Sequence, residues 1–327
     1  MSRKTFGNAI NDALSIAMEM DDNVFIAGEG VGVSIHQDPN MPTWGLLEKF
    51  GRRRVKDTPV SEAAIAGLAV GASCMGLHPV VEIMFFPFMT LASDMLVNHA
   101  GKLRYMSGGK SSFPLTVRVK AGNGFGAGSQ HSHNLEAWIA HSPGLKIVWP
   151  ATVEDAKGLT LSAIFDPDPV IVVEDMFLYR MPGQMPEGDF RTPLGKARVA
   201  VPGTDCTVIA YGIALYTVMK ALETLEKKGI SCEVIDLRSL VPLDKACILQ
   251  SVRKTGRLVV VHEANRFCGF GAELAAMVAE EAFDALKGPV KRVGAPQIPV
   301  PAASSLEKAF KPNPQDVVTA VLETMNK

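Results

Sequence analysis

The stretch Arg54-Val-Lys-Asp-Thr-Pro-Val-Ser-Glu-Ala-Ala-Ile-Ala-Gly-Leu-Ala-Val-Gly-Ala-Ser-Cys-Met-Gly-Leu77 places one carboxylate, Glu62, at the mouth of a helix that otherwise holds only small and apolar side chains. A helix start, with its orphan N–H groups and positive dipole end, is a favourable seat for a carboxylate, so capping is one reading of Glu62. The lack of a polar face beyond it supplies the other. Such a helix is expected to be buried on most sides, with Glu62 facing an interior or an interface. A buried carboxyl exchanges its proton nearer neutral pH than an exposed one, and can then act as a general acid. The pattern leaves capping and chemistry both open.

Outward from this helix, amphipathic segments alternate with short β-branched runs. Asn8 to Met20 reads as a helix, Val24 to Ala27 and Val80 to Met84 as strands, and Thr90 to Lys102 as a helix. Leu115 to Val119, Lys146 to Trp149 and Val170 to Glu174 read as buried strands, with a helix over Val153 to Phe165. The alternation predicts an α/β fold, a parallel sheet with helices on both faces. From Arg180 to Gly203 the rhythm breaks on Pro182, Pro186, Pro193 and Pro202. We therefore place a first domain at residues 1–185, a linker at 186–203 and a smaller α/β domain at 204–327. Strands at Cys206 to Ala210, Ser231 to Leu237 and Arg257 to His262 build that second domain, with helices near Ala214 to Lys227 and Asp244 to Thr255.

With 33 Lys plus Arg against 34 Asp plus Glu, bulk charge argues against a nucleic-acid or membrane-surface partner. No apolar run approaches the roughly 18 residues of a membrane span, and the start Met1-Ser-Arg-Lys-Thr-Phe6 has no hydrophobic signal core. Cys74, Cys206, Cys232, Cys247 and Cys268 form no Cys-x-x-Cys pair and read as reduced thiols. The expected compartment is the cytoplasm, or the mitochondrial matrix for a chain already freed of a transit peptide. Gly28-Glu-Gly-Val-Gly32 follows a strand but lacks the third glycine and the helix of a dinucleotide fingerprint. His36, His78, His99, His141 and His262 carry no informative spacing, and no third ligand joins His131 and His133 in a metal pattern.

Asp57-Thr-Pro-Val-Ser-Glu62, Gly76-Leu-His-Pro-Val-Val-Glu82, Gln130-His-Ser-His133, Glu136-Ala-Trp-Ile-Ala-His141, Asp155-Ala-Lys-Gly158 and Asp236-Leu-Arg-Ser-Leu-Val-Pro-Leu-Asp244 fall in one order along the chain. In that order they resemble the β subunit of the E1 component of thiamine-diphosphate-dependent 2-oxo acid dehydrogenases, a transketolase-like family. The resemblance implies a pyrimidine-binding first domain and a transketolase C-terminal-like second one. It implies catalytic roles for Glu62, which protonates the cofactor ring nitrogen, and His131, which stabilises the substrate-derived intermediate and assists acyl transfer. It further implies cofactor contacts from Glu29 and Phe86, the latter also readable as a core phenylalanine. A potassium ion is implied on Leu115, Ala163, Ile164, Asp166 and Asp168, against the plain reading of an Asp-Pro turn.

Two departures stand out. Gly30 replaces the acidic residue usual after Glu29, and Ser132-His-Asn-Leu135 replaces the usual Ser-Gln-Ser-Pro after His131. The Gly-Asp-Gly motif that holds magnesium and the diphosphate is absent from the sequence. The resemblance therefore implies half a cofactor site, completed by an E1 α subunit in an α2β2 assembly that serves a lipoyl acyltransferase, E2. Two rivals are the C-terminal subunit of a split transketolase and a non-catalytic doubly wound binding module.

Overall fold

The computed structural model describes residues 2–32 and 38–325, so His36 lies outside the described residues. In chain order the first strands are β1 (Ser2–Thr5), β2 (Val24–Gly28), β3 (Val55–Asp57), β4 (His78–Ile83), β5 (Leu115–Ala121), β6 (Lys146–Val148) and β7 (Pro169–Asp175). The rest are β8 (Pro182–Met185), β9 (Arg198–Val201), β10 (Cys206–Ala210), β11 (Cys232–Asp236), β12 (Ser239–Val241), β13 (Leu258–Asn265) and β14 (Lys291–Ala295).

The chain forms two compact units. The first comprises Met1–Ala121, Trp138–Leu194 and Leu240–Pro242. Its sheet has the order β12-β6-β7-β5-β4-β2-β3, and the pairs from β6 to β3 are parallel. β5 and β7 are buried at every position, as central parallel strands covered on both faces must be. The first helix runs Phe6–Met20, two residues earlier than its periodicity predicts, because Thr5 and Asn8 cap each other's backbone in a capping box. The predicted helix Thr90 to Lys102 is a π-helical segment, Asp94–Ala100, running into an α-helix, Gly101–Met106.

The Glu62–Cys74 helix corrects one expectation. It is buried on one side only: Ile65, Ala66, Ala69, Val70 and Ser73 face inward, while Ala63, Ala64, Leu68, Gly71 and Cys74 face solvent in this chain. Full burial of an Ile or Val side chain is worth about 1.5–3 kcal/mol, so the inward row suffices to dock the helix. The outer row gains nothing until something covers it.

The second unit comprises Gly122–Ala137, Gly195–Ser239 and Leu243–Lys327. Its sheet has the order β14-β13-β10-β11-β9, with β14, β13, β10 and β11 parallel and β9 antiparallel at the edge. The stretch read as a linker thus contains a strand, β9, which joins this sheet. Just before it β8 pairs antiparallel with β1. Prolines hid both, since edge strands tolerate a proline that central strands do not. The Gly122–Ala137 segment, which carries His131, packs with the second unit although it lies far inside the predicted first domain.

Candidate active site

Two neighbouring strand ends position the acidic residues of the first unit. β2 and β3 run parallel with Gly28 opposite Asp57, so Glu29 and the segment leading to Glu62 leave the sheet at the same, carboxyl edge. Open parallel sheets bind their ligands at that edge. The two loops are tied together: Gly32 N–H donates to Asp57 Oδ1 at 2.7 Å, and Thr58 N–H donates to the Gly28 carbonyl at 3.0 Å. Gly30 has φ +65°, a left-handed conformation that glycine adopts without strain and a glutamate would resist.

Glu62 is 5 % exposed and opens its helix, whose start carries no side-chain capping hydrogen bond. Glu62 thus lies in the first turn, at the positive end of the helix, behind Ser61, whose side chain caps nothing. Glu29 is buried too, and its Oε1 has no hydrogen-bond partner among the described residues. Burial, then the neighbouring charges of Glu62 and Glu82, push the Glu29 carboxyl above its ordinary range against the pull of Lys120. A cavity of about 670 Å³ opens beside them, lined by Glu29, Glu82, Met84, Phe85, Lys120 and Met176. Carboxyls beside apolar and aromatic walls suit a flat heteroaromatic ring with a basic nitrogen. Phe86 is fully enclosed, its ring edge-to-face with Trp149 at a centroid separation of 5.9 Å. Half-buried Phe85 and Phe88 pack edge-to-face at 5.8 Å, and these two, not Phe86, keep ring surface open.

Behind the carboxyls lies a buried charge network that sequence reading missed. The Arg118 guanidinium holds Glu174 with both prongs, Nε to Oε1 at 2.6 Å and Nη2 to Oε2 at 2.8 Å, and reaches Glu82 Oε2 with Nη1 at 2.8 Å. Lys120 Nζ takes the other Glu82 oxygen at 2.7 Å, and Tyr179 donates its hydroxyl to Glu174 Oε2 at 2.6 Å. Burial alone would push the Glu82 carboxyl up, but Lys120 and Arg118 together outweigh it and hold the group ionised. The visible signal was the alternation Arg118-Val-Lys120 inside an apolar strand.

The second unit holds the histidine loop. Gly124 and Gly126, with φ +110° and +77°, turn their N–H groups onto Glu307 Oε1, both at 3.1 Å. Lys311 Nζ donates to the Asn123 carbonyl at 2.8 Å and pairs with Glu263 at 2.9 Å. These contacts fix a loop whose glycines cannot fix themselves, and lead to the short turn Ser129–Ser132 that carries His131. His131 is half-buried, whereas His262 is a core histidine in β13 whose imidazole burial holds down at about 4.

Just beyond the loop, fully buried Glu136 accepts the Tyr211 hydroxyl at 2.8 Å, and burial pushes its carboxyl up to about 7. Below pH 4.5 the native and unfolded states both hold this proton, and the stabilisation is fully present. As pH rises toward 7 only the native state keeps it, so stability falls by about 1.4 kcal/mol per pH unit, roughly 3 kcal/mol in all. A Glu136→Gln variant stays neutral throughout. Its melting temperature should vary less with pH and exceed that of the parent at pH 8, in thermal melts from pH 4.5 to 8.

At the expected potassium position, Lys146 Nζ sits on both Asp166 oxygens, at 2.7 and 2.9 Å, and on Asp168 Oδ2 at 3.3 Å. Arg104 reaches Asp168 Oδ1 at 3.1 Å, and Asp166 Oδ1 also accepts the Asp168 N–H at 2.8 Å, the Asp-Pro turn of the plain reading. Both carboxylates are thus already compensated. The Ala163 carbonyl takes the Asp166 N–H at 3.3 Å, and Leu115 begins β5 opposite Pro169.

Residues 2–182 match the family described as "Transketolase, pyrimidine binding domain", and residues 195–317 match "Transketolase, C-terminal domain". The chain is 44 % identical over 320 residues to the mitochondrial pyruvate dehydrogenase E1 component subunit beta of Pisum sativum, spanning 97 % of this chain and 89 % of that protein. It is 42 % identical over 331 residues to the acetoin:2,6-dichlorophenolindophenol oxidoreductase subunit beta of Bacillus subtilis, spanning 98 % and 97 %. The chain belongs to the E1 β-subunit family of the 2-oxo acid dehydrogenases. A solved structure titled "Split gene transketolase, inactive beta4 tetramer" superposes with a TM-score of 0.80, covering 98 % of each chain at 22 % identity. That likeness shows the shared fold and carries nothing further.

Within the E1 β family frame, this chain brings Glu62, Glu29 and Glu82 together in one unit and His131 with its glycine clamp in the other. Sequence reading named Glu62, Glu29 and His131. It overlooked the clamp, because Glu307 and Lys311 lie more than 170 residues beyond the loop they hold.

Proposed function

We propose that this chain is the β subunit of a two-component E1 that uses thiamine diphosphate to decarboxylate a 2-oxo acid, or cleave acetoin, and passes the acyl group to lipoamide. The observation that carries the reading is Glu62: a buried carboxyl beside Glu29 at the carboxyl edge of a parallel sheet, where Glu29 and Glu82 line a cavity of about 670 Å³ with apolar and aromatic walls. The bound cofactor supplies a carbanion-forming carbon and an electron sink. Glu62 holds a proton for the cofactor ring nitrogen. Glu29 keeps a second acid beside it, its carboxyl pushed up by burial and by the charges of Glu62 and Glu82, the last held ionised by Lys120 and Arg118. Phe85 and Phe177 offer the aromatic wall, with Phe86 enclosed in the core behind them. His131 stabilises the developing charge on the substrate-derived oxygen.

This division of labour gives the cofactor-ring acids to the first unit and the histidine loop to the second. Magnesium would be held mainly by an α subunit. A potassium ion would bind at Leu115, Ala163, Ile164, Asp166 and Asp168, where Lys146 now neutralises both carboxylates. The solvent-facing apolar row of the Glu62–Cys74 helix, together with Met75 and Tyr105 at 82 % and 87 % exposure, supports an α2β2 partner. E2 would take the product, in a bacterial cytoplasm or a mitochondrial matrix. No helix among the described residues is long and apolar enough to cross a membrane.

The test is capture of the tagged chain from its native host, followed by native mass spectrometry. A 2:2 complex with a Gly-Asp-Gly-bearing partner and bound thiamine diphosphate is the expected result. A chain eluting alone, without cofactor, would overturn the assignment. Turnover of sugar phosphates and not of 2-oxo acids or acetoin would move it to a split transketolase.

A further inference from the structure

Cys206 and Cys232 open the neighbouring parallel strands β10 and β11 and stand directly opposite each other in the register. Residues so paired point to one face of a sheet, and adjacent strands lie about 4.8 Å apart, inside the Cα separation of roughly 4.4–6.8 Å that a disulfide spans. The next residues identify that face. Thr207 bonds Ser251 and Thr255, and Glu233 pairs with Lys254, so both turn toward the helix Lys245–Thr255. The two cysteines therefore share the opposite face, against the helix Ala214–Glu226. Both are buried free thiols, whereas Cys74 and Cys268 are exposed. Cys232 nonetheless lines a cavity of about 190 Å³ with Val201, Leu222, Gly229 and Ile230, which has room for a molecule the size of hydrogen peroxide.

We propose that Cys206 and Cys232 form a peroxide-reactive dithiol that closes to a reversible disulfide, Cys232 attacking and Cys206 resolving. Access sets the roles, because Cys232 borders the cavity and Cys206 does not. Acidity agrees with them. The Cys206 thiol is held above its ordinary range by its bond to Cys232 and by burial, whereas the same bond draws the Cys232 thiol below its range against burial. The Cys232 thiolate takes one oxygen of hydrogen peroxide as the O–O bond breaks, giving a sulfenic acid and a hydroxide that the displaced thiol proton turns into water. The Cys206 sulfur then attacks the Cys232 sulfur, the S–O bond breaks, and the hydroxyl leaves as water with the Cys206 proton. The thiol pair is oxidised by two electrons and the peroxide is reduced by them. Since both cysteines begin their strands, the new bond staples the amino edge of the sheet and leaves Tyr211 and Glu136, beyond the carboxyl end of β10, in place.

The test treats the full chain with hydrogen peroxide, blocks the remaining thiols and maps the unreduced peptides by mass spectrometry. The expected product is a Cys206–Cys232 cross-linked peptide, about 2 Da lighter than its two thiol peptides together and separated again by dithiothreitol. In Cys206→Ser, dimedone should trap a sulfenic acid on Cys232. In Cys232→Ser, Cys206 should react at least about 10-fold more slowly than Cys232 does in Cys206→Ser. Oxidation confined to Cys74 and Cys268, with both strand thiols still open to alkylation after unfolding, would overturn the proposal. So would a Cys206 that reacts as fast as Cys232. The cross-link is read on the parental chain, so a variant that fails to fold leaves the pair testable, and neither result bears on the E1 assignment.

Discussion

Glu62→Gln should lower turnover by the reconstituted α/β complex by about 10³-fold, within the 10²–10⁴-fold range of a lost general acid. Glutamine keeps the volume and can still accept a hydrogen bond, but it has no proton to exchange. The side chain is 5 % exposed and begins an otherwise apolar helix, so solvent cannot substitute for it. Cofactor affinity should fall far less than turnover, because the cavity walls remain. Calorimetric titration with thiamine diphosphate, beside steady-state kinetics, separates the two effects. Deuterium exchange at the cofactor's reactive carbon should slow in parallel with turnover. Glu62→Asp, one methylene short, should recover little. A Glu62→Gln complex with full activity would instead favour a binding module that has lost its chemistry.

The second large effect concerns stability. Arg118→Met should destabilise the first unit by about 3–5 kcal/mol, the usual cost of removing one partner from a buried ion pair. The Arg118 side chain is 1 % exposed, and its loss would leave two carboxylates inside the sheet with only the Lys120 ammonium to answer them. For a unit of this size the melting temperature should drop by roughly 10 °C. Arg118→Lys should rescue little, since an ammonium cannot grip Glu174 with two parallel bonds and reach Glu82 as well. Pairing Arg118→Met with Glu174→Gln should recover part of the loss by removing one of the stranded charges. Thermal melts of the three variants at neutral pH decide the matter, and a shift under about 2 °C for Arg118→Met would refute the account.

Most of the architecture was legible because apolar periodicity is local. Val24 to Ala27, Leu115 to Val119 and Val170 to Glu174 each declared a buried strand within a few residues, and each strand is there. What stayed hidden depended on distant partners. β9 became a strand only because β11 offers it an edge, and its flanking prolines and glycines read as loop. Membership of the Gly122–Ala137 segment in the second unit hinges on Glu307 and Lys311, which no local pattern connects to it. At the site, Glu29, Glu62 and His131 were named from short motifs, whereas choosing among three nearby phenylalanines needed three dimensions. Only the fold reveals that Phe86 turns inward to Trp149 while Phe85 lines the cavity.

The buried charges also answer a question of alignment. β4, β5 and β7 are nearly continuous apolar runs, and covered on both faces such strands could slide along one another with little change in burial. Glu82 lies opposite Arg118, and Lys120 opposite Glu174. A slip of β5 by one residue would set Val117 or Val119 against the two carboxylates and carry both cations to the far face. That misfolded sheet would be penalised by several stranded charges at once. Four polar side chains thus act as index pins for three greasy strands, and the carboxyl edge of the sheet is levelled by them.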